Sequence, residues 1–153
     1  MKTNEVSFAK AIYKLLLSLT FLLAGTSTAL ALPSITLHKS PTCGCCEKYV
    51  DYLRENGFEV KAVNESDMNA IKKRHGVAQA ASCHTALIGG YVVEGHVPVA
   101  SIRKLLREKP DLVGISAPGM PINSPGMGEM KKGTLTIYAV PKNGGEPYVF
   151  SVE

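Results

Sequence analysis

The sequence predicts an α/β domain with the element order β-α-β-α-β-β-α, followed by a long loop and a C-terminal β-hairpin. Strand-like and helix-like hydrophobic patterns alternate from residue 34 to about residue 109, and glycine and proline are concentrated in one stretch near residue 120. The 153 residues are 45% apolar and carry a formal net charge of +4. This is ordinary globular composition, with too little charge for an electrostatic nucleic-acid binder, so no nucleic-acid partner is expected.

Residues 1–31 have the three parts of a secretory signal peptide. Lysines precede an apolar run from Leu15 to Ala24, and small residues lead to Ala29-Leu30-Ala31. Because this run is about half of the roughly 20 apolar residues that a bilayer span requires, cleavage after Ala31 is favoured over an uncleaved anchor. The run has no twin arginine, which indicates the Sec route and the periplasm, and Leu32 at the new N-terminus argues against a lipoprotein. Residues 32–153 are expected to form the mature domain, with no membrane association.

The first predicted elements are a strand over residues 34–39 and a helix that ends before Gly57. Pro41 ends the strand, and a cysteine-rich segment follows it. On the helix, apolar residues recur at i, i+3, i+4 and i+7, which is the period of one buried face. These residues are Cys46, Tyr49, Val50 and Leu53.

A second strand and a second helix complete the β-α-β-α unit. Residues 58–63 alternate apolar and polar side chains, which is typical of a strand. The helix is expected to start near Asp67 and to stop at Gly76. Its predicted apolar face consists of Met68, Ile71 and His75. Its basic run is interpreted as a solvated face and consists of Lys72, Lys73 and Arg74.

A hairpin and a third helix follow. Residues 85–88 and 91–94 flank Gly89-Gly90, the spacing of a tight two-residue turn. Pro98 suits the first turn of a helix, and Pro110 stops it. The predicted buried stripe of this helix is Val99, Ile102, Leu105 and Leu106.

The rest of the chain is predicted as a long loop and a terminal hairpin. Residues 111–133 are rich in glycine and proline, so they are not expected to hold regular structure for long. Residues 134–140 and 148–152 are strand-like and are joined by Asn143-Gly144-Gly145, a turn sequence.

Three of the four cysteines stand where the first strand meets the first helix. Partial positive charge at a helix N-terminus favours thiolates, which are nucleophiles or metal ligands. Cys43 and Cys46 have the C-x-x-C spacing of a thioredoxin-like active site, although Cys45 lies between them. In that fold the loop before the third strand faces the motif and usually carries a cis-proline. Here this loop is Ser82-Cys83-His84-Thr85, so Cys83 is expected to complete a four-sulfur site.

Four converging cysteines leave three chemistries open. An exported chain can form two structural disulfides, for which Cys43–Cys46 with Cys45–Cys83 is the least strained pairing. A structural zinc site usually takes well-separated C-x-x-C pairs. Densely packed soft thiolates suit Cu(I), which accepts two or three sulfurs and tolerates sulfur bridging between ions. Copper is therefore favoured over disulfide chemistry, and zinc ranks last.

Other soft or nitrogen ligands accompany the cysteines. His84 and His96 are candidate auxiliary ligands or proton carriers, whereas His38 and His75 are interpreted as ordinary strand and helix residues. The long loop contains three of the chain's five methionines, whose thioethers can bind Cu(I) or simply fill gaps in a core. These candidates are Met120, Met127 and Met130.

Several segments together resemble the CopG family of periplasmic copper-resistance proteins. The resemblance runs from about Ile35 to Met130, and the combination is far more specific than any one motif. The resemblance implies a thioredoxin-like fold, Cu(I) bound by the four cysteines, and a role in copper detoxification that includes copper redox cycling. The segments are residues 38–46 (H-K-S-P-T-C-G-C-C), 82–85 (S-C-H-T), 91–98 (Y-V-V-E-G-H-V-P), 118–121 (P-G-M-P) and 124–127 (S-P-G-M).

The leading functional hypothesis is a periplasmic Cu(I)-binding protein of copper resistance. Its expected partners are copper ions and other periplasmic copper-handling proteins. A thiol-disulfide oxidoreductase that uses Cys43 and Cys46 is the alternative from a different class. A structural or adaptor domain with two disulfides is the third.

Overall fold

The computed structural model describes residues 32–153, so the predicted signal peptide, residues 1–31, lies outside the described residues. The three helices are α1 (Gly44–Glu55), α2 (Met68–Arg74) and α3 (Val99–Glu108), and a short 3-10 helix spans Ala78–Ala80. The strands are β1 (Ser34–Lys39), β2 (Glu59–Asn64), β3 (Thr85–Ile88), β4 (Tyr91–Glu94), β5 (Leu112–Ser116), β6 (Thr136–Pro141) and β7 (Tyr148–Val152). They form one seven-stranded sheet in the order β2-β1-β3-β4-β5-β6-β7.

The α/β class and the predicted order of the first seven elements are confirmed. All four residues on the predicted inner face of α1 are buried. The helix ends before Gly57, whose φ of 82° is left-handed and costs glycine little. Beyond this turn, the amide of Phe58 donates to the carbonyl oxygen of Leu53 at 3.1 Å, which satisfies a helix-end acceptor.

Strand directions bring several chain ends to one edge of the sheet. β1 is parallel to β2 and antiparallel to β3, so His38, near the end of β1, lies opposite Thr85, which starts β3. Thr85 in turn lies opposite Glu94, which ends β4. Because β4 and β5 are parallel, Ser116 at the end of β5 reaches the same edge. We call this the junction edge: the ends of β1, β4 and β5 and the start of β3.

The first part of the predicted long loop is instead strand β5, so the prediction for these residues is wrong. β5 pairs in parallel with β4 and antiparallel with β6. Leu112 and Ile115 are buried in the sheet. The strand is short and interrupted by Gly114, so its local pattern is weak, and its pairing partners determine the structure.

The predicted C-terminal hairpin is present as β6 and β7, and it continues the same sheet. β6 adds to β5, and β7 pairs antiparallel with β6. Residues 148–152 match the predicted strand, whereas β6 starts two residues later than expected. The hairpin therefore extends the sheet on the side of β4 opposite β3.

The buried face of helix α2 differs from the predicted one. Asp67 caps it by accepting a hydrogen bond from the amide of Ala70 at 3.0 Å, as the start signal predicts. The buried residues of the helix are Ile71 and Lys72, and His75 lies just past its end. The interpretation of Lys72 as solvated is therefore wrong. Its ammonium finds a buried carboxylate on β4, 22 residues away in sequence, which a local pattern cannot reveal.

The hydrophobic core lies between the sheet and the apolar faces of α1 and α3. Three of the four predicted stripe residues of α3 are buried, and Leu106 is half-buried at the margin of the core. Full burial of such side chains stabilises the fold by roughly 1.5–3 kcal/mol each. Within residues 32–153, none of the helices combines the length and the apolar content of a bilayer span.

We expect Gly114→Ala to destabilise the domain by at least ~2 kcal/mol. A Cβ at this position would collide with the main-chain carbonyl oxygen of Val92, so β4 and β5 would have to separate. Urea unfolding of the variant and the wild type measures the loss. Gly44→Ala is the matched control, because a Cβ there meets nothing within 4 Å and should leave the midpoint unchanged or slightly raised. Equal midpoints for Gly114→Ala and the wild type would contradict the close approach.

Candidate metal centre

The four cysteines come together at the junction edge. Cys43 caps α1, while Cys45 and Cys46 lie in its first turn. Cys83 comes from the loop before β3, and its sulfur and the other three all lie within 4.8 Å of one another. Cys83 therefore lies in a cluster with the other three cysteines, as the sequence predicts. Metal ligation by this cluster stays a prediction.

The oxidation state of the cluster is mixed. A disulfide joins Cys43 and Cys46, and Cys45 and Cys83 are free. The Cys45 sulfur lies 3.5 Å from that of Cys43. Of the two disulfides considered from the sequence, only the first is formed. Four thiolates become available only after a two-electron reduction of the Cys43–Cys46 bond.

Two histidines extend the sulfur cluster. The Cys83 sulfur lies 2.9 Å from His96 Nε2 and 3.3 Å from His84 Nδ1. The donor atoms of Cys46, Cys83, His84 and His96 form a second group in which all atoms lie within 4.8 Å. Because Cys46 and Cys83 belong to both groups, the six side chains form one continuous set of sulfur and nitrogen donors.

Hydrogen bonding and burial prepare the histidines as neutral ligands. His96 Nδ1 lies 2.7 Å from the carbonyl oxygen of Pro125, so the proton of the neutral ring belongs on Nδ1 and Nε2 keeps its lone pair towards Cys83. Burial lowers the pKa of His96. The pKa of His84 is well below its usual value because of burial, then because of the neighbouring charges of His96 and Lys72. His84 Nε2 is buried without a hydrogen-bond partner among the described residues.

Tyr49 supports both histidine rings from α1. Its ring centroid lies 4.6 Å from that of His84 and 5.1 Å from that of His96. Its hydroxyl donates to the carbonyl oxygen of Val97 at 2.7 Å, and burial raises its pKa well above 10. The sequence pattern assigned Tyr49 to the core only. Its contact with the histidines was not predicted, because the ring comes from a distant helix.

The loop that carries the methionines approaches the start of α1 at Gly126. A Cβ on Gly126, which has a left-handed φ of 78°, would lie 2.9 Å from the amide nitrogen of Tyr49 and 3.2 Å from the carbonyl oxygen of Cys45. The next residue, Met127, is half-buried, whereas Met120 and Met130 are 62% and 40% exposed. Their role as thioether ligands stays a prediction.

The other two histidines lie outside both donor groups. His38 Nδ1 is 2.7 Å from Glu65 Oε1, and its ring centroid is 6.2 Å from that of His75. This agrees with their interpretation as ordinary residues.

One acidic residue beside the centre was missed from the sequence. Glu94 ends the apolar strand β4, and its side chain is fully buried against Lys72. The available signal was the glutamate at the end of the run Tyr-Val-Val-Glu. A carboxylate on an apolar strand becomes buried, and a buried carboxylate needs a partner.

Comparisons with known proteins find solved copper-resistance proteins similar to this chain. Two solved structures named "Copper resistance protein copG", Form 1 and Form 2, are each 41% identical to this chain, with a TM-score of 0.72. Each match covers 80% of this chain and 98% of the other. The family described as "Protein of unknown function, DUF411" matches residues 80–127, which include Cys83, His84 and His96. No match is found among curated proteins.

Cys83 should react slowly with iodoacetamide at neutral pH, in the protein that keeps the Cys43–Cys46 bond. Burial, then the charge and hydrogen bond of Cys45, raise the pKa of Cys83 to about 12. Since only the thiolate reacts, its alkylation rate should rise about tenfold per pH unit up to pH 10 without levelling off. Peptide mass spectrometry at each pH measures the rate.

Two controls accompany this measurement. In urea-unfolded protein, the rate at the same cysteine should level off above its ordinary pKa of about 8.5. Cys45→Ser removes one cause of the shift and should make Cys83 react faster at pH 8. A folded wild type whose rate levels off near pH 9 would show that the pKa is not raised.

Proposed function

The chain belongs to the CopG family of copper-resistance proteins, and we propose that it is a periplasmic Cu(I)-binding protein that acts in copper resistance. Copper is held by the thiolates of Cys43, Cys45, Cys46 and Cys83. The observation that carries this proposal is the cluster of four sulfurs within 4.8 Å of one another. Two neutral imidazoles beside the cluster add further soft-metal donors.

The donor set favours Cu(I) over harder ions. Thiolate sulfur is a soft ligand, and Cu(I) accepts two or three such ligands where zinc requires a closed tetrahedron. Three of the sulfurs come from four successive residues at one helix start, which restricts how far they can spread around one ion. Cys46 and Cys83 belong to both donor groups, which suits sulfurs that bridge two ions.

The protein environment places neutral imidazoles beside the sulfurs at the start of α1. The N-terminus of α1 provides partial positive charge beside the three cysteines at its start. His96 keeps a lone pair on Nε2, because its Nδ1 proton is donated to the carbonyl oxygen of Pro125, and His84 Nε2 has no hydrogen-bond partner within residues 32–153. We include both histidines as auxiliary ligands. Met120, Met127 and Met130 remain candidate thioether ligands from the loop.

Copper redox cycling is the second part of the proposal, and the cysteine pair can balance it. Two thiolates, Cys43 and Cys46, lose two electrons as their S–S bond forms, and these electrons reduce two Cu(II) ions to Cu(I). A dithiol reductant then returns two electrons and two protons to the disulfide. The Cys43–Cys46 bond supports this step because it is its oxidised product. Cys45 and Cys83 stay reduced throughout.

A thiol-disulfide oxidoreductase that uses Cys43 and Cys46 is the second candidate, favoured by the same disulfide. A third thiol weakens it. The Cys45 sulfur lies 3.5 Å from that of Cys43, close enough to compete with an external thiol for exchange. The copper proposal uses all four cysteines, whereas this one uses two.

Fully reduced protein should bind Cu(I) much more tightly than Zn(II), and Cys83→Ser should lower the Cu(I) affinity at least ~10-fold, or about 1.4 kcal/mol. Both donor groups contain Cys83, and serine replaces its soft sulfur with a hard oxygen. Anaerobic competition with a Cu(I) chelator and with zinc measures both quantities. His75→Gln is the matched control, because it removes an imidazole outside the two groups and should leave the affinity unchanged.

Two results would overturn this proposal. Equal or stronger retention of zinc by the wild type would remove the copper assignment. A wild type that retains no copper but reduces insulin disulfides at a thioredoxin-like rate would establish the oxidoreductase instead.

The periplasmic location predicts that the mature protein begins at Leu32. Ala29 and Ala31 fit the small-residue positions that signal peptidase requires. The intact mass of protein from the periplasmic fraction identifies the N-terminus, and Ala31→Arg should block cleavage as a control. Native protein that keeps residues 1–31 in the membrane fraction would overturn the assignment of these residues as a cleaved signal peptide.

A further inference from the structure

Glu94 makes a set of buried contacts with residues that are not among the proposed copper ligands. Its carboxylate is fully buried at the end of β4. Oε1 accepts hydrogen bonds from the ammonium of Lys72 and the amide of Ser82, each at 2.6 Å. Oε2 accepts the hydroxyl of Thr85 at 2.7 Å, and that hydroxyl accepts from Lys72 at 3.2 Å. We call Glu94, Lys72, Ser82 and Thr85 the Glu94 clamp.

The clamp holds the segment that carries Cys83 at both ends. Ser82 precedes Cys83, and Thr85 follows His84, so one carboxylate bonds both flanks of the two donor residues. Other contacts tie the same segment down. The amide of Gly95 donates to the carbonyl oxygen of His84 at 2.9 Å, and the hydroxyl of Ser82 bonds the carbonyl oxygen of Gly119.

The clamp also links the Cys83 segment to His96. Glu94 lies two residues before His96 on the same stretch of chain. Its backbone carbonyl oxygen accepts the amide of Ala117 at 3.0 Å, which ties this stretch to the end of β5. The 2.9 Å approach of Cys83 Sγ to His96 Nε2 therefore joins two segments that share one anchor.

Stability alone does not account for such a pair. Taking both charges out of water costs about as much as their attraction returns, so well-packed apolar residues often serve stability equally well. What apolar residues cannot do is bond the amide of Ser82 and the hydroxyl of Thr85 at once. The particular benefit of the clamp is a defined position for the segment between them.

We infer that Glu94, held by Lys72, is a positioning residue that places Cys83 against Cys46 and His96 and so pre-organises the metal centre. The inference rests on the proposed Cu(I) function. A ligand already held in place loses less conformational entropy when the ion binds, so the clamp raises affinity without touching copper. The ammonium of Lys72 compensates the negative charge of the Glu94 carboxylate, so the carboxylate can stay buried at the end of β4.

Two double variants separate positioning from charge. Lys72→Met with Glu94→Leu removes both charges and all three hydrogen bonds to Ser82 and Thr85, and fills the space with apolar groups. Lys72→Met with Glu94→Gln also removes both charges, but the amide can still accept from Ser82 and donate to Thr85. Ile102→Val, in the core on α3, is a mildly destabilising control remote from the clamp in sequence.

Cu(I) affinity by anaerobic chelator competition is the first measurement. We expect the Lys72→Met, Glu94→Leu variant (Met/Leu) to bind Cu(I) at least ~10-fold more weakly than the wild type. The affinity of the Lys72→Met, Glu94→Gln variant (Met/Gln) should lie within about threefold of the wild-type value, and that of Ile102→Val should be unchanged. The second measurement needs no copper. In metal-free protein at pH 8, Cys83 should be alkylated several-fold faster in the Met/Leu variant than in the wild type. Its rate in the Met/Gln variant and in Ile102→Val should equal the wild-type rate.

The outcomes separate this inference from the proposed function. A wild type that does not bind Cu(I) defeats the function, and the alkylation rates then decide the clamp. A Met/Leu variant equal to the wild type in both measurements overturns the clamp alone, as does a Met/Gln variant that loses as much as Met/Leu. If either double variant fails to fold, Thr85→Val decides, since it keeps the ion pair and removes the two hydrogen bonds of the Thr85 hydroxyl. Unchanged affinity and unchanged alkylation would then overturn the inference.

Discussion

Strand pairing at the junction edge determines which side chains can reach the first turn of α1. The register sets His38 opposite Thr85 and Thr85 opposite Glu94, so the ends of β1 and β4 and the start of β3 lie side by side. The chain leaves each of these positions with a donor within a few residues. These donors are Cys43, Cys83 and His96. A slip of one residue in β3 would reverse its faces and separate the cysteine from the helix.

Such close packing of thiols creates a charge problem. Burial and the charge of Cys45 raise the pKa of Cys83 to about 12, so at neutral pH this sulfur keeps its proton. A soft cation that replaces the proton relieves the same repulsion and gains sulfur ligands. Binding therefore releases protons and strengthens as pH rises. The lowered pKa values of His84 and His96 act differently, because their lone pairs are already available at neutral pH.

Local patterns predicted the elements whose burial repeats with a regular period. The four inner residues of α1 were found in this way, whereas the β3–β4 hairpin was found from its Gly89-Gly90 turn. Strand β5 was missed because Gly114 interrupts its five residues and its partners lie far along the chain. Lys72 was misplaced for a related reason: its partner is 22 residues away. The position of Cys83 came from fold geometry rather than periodicity, whereas no sequence pattern indicated that only one disulfide would form.

Different contacts hold the parts of the metal centre in place. Three cysteines sit on a helix, and the Cys83 segment is bonded at both ends by Glu94. The methionine loop is hydrogen-bonded through Gly119 to Ala81 and Ser82, beside Cys83. It also approaches α1 at Gly126 and accepts a hydrogen bond from His96 at Pro125. Because that bond uses the nitrogen opposite Nε2 on the same ring, any rotation of His96 towards a ligand must carry or stretch the loop. The position of Pro125 is therefore coupled to the orientation of the His96 ring.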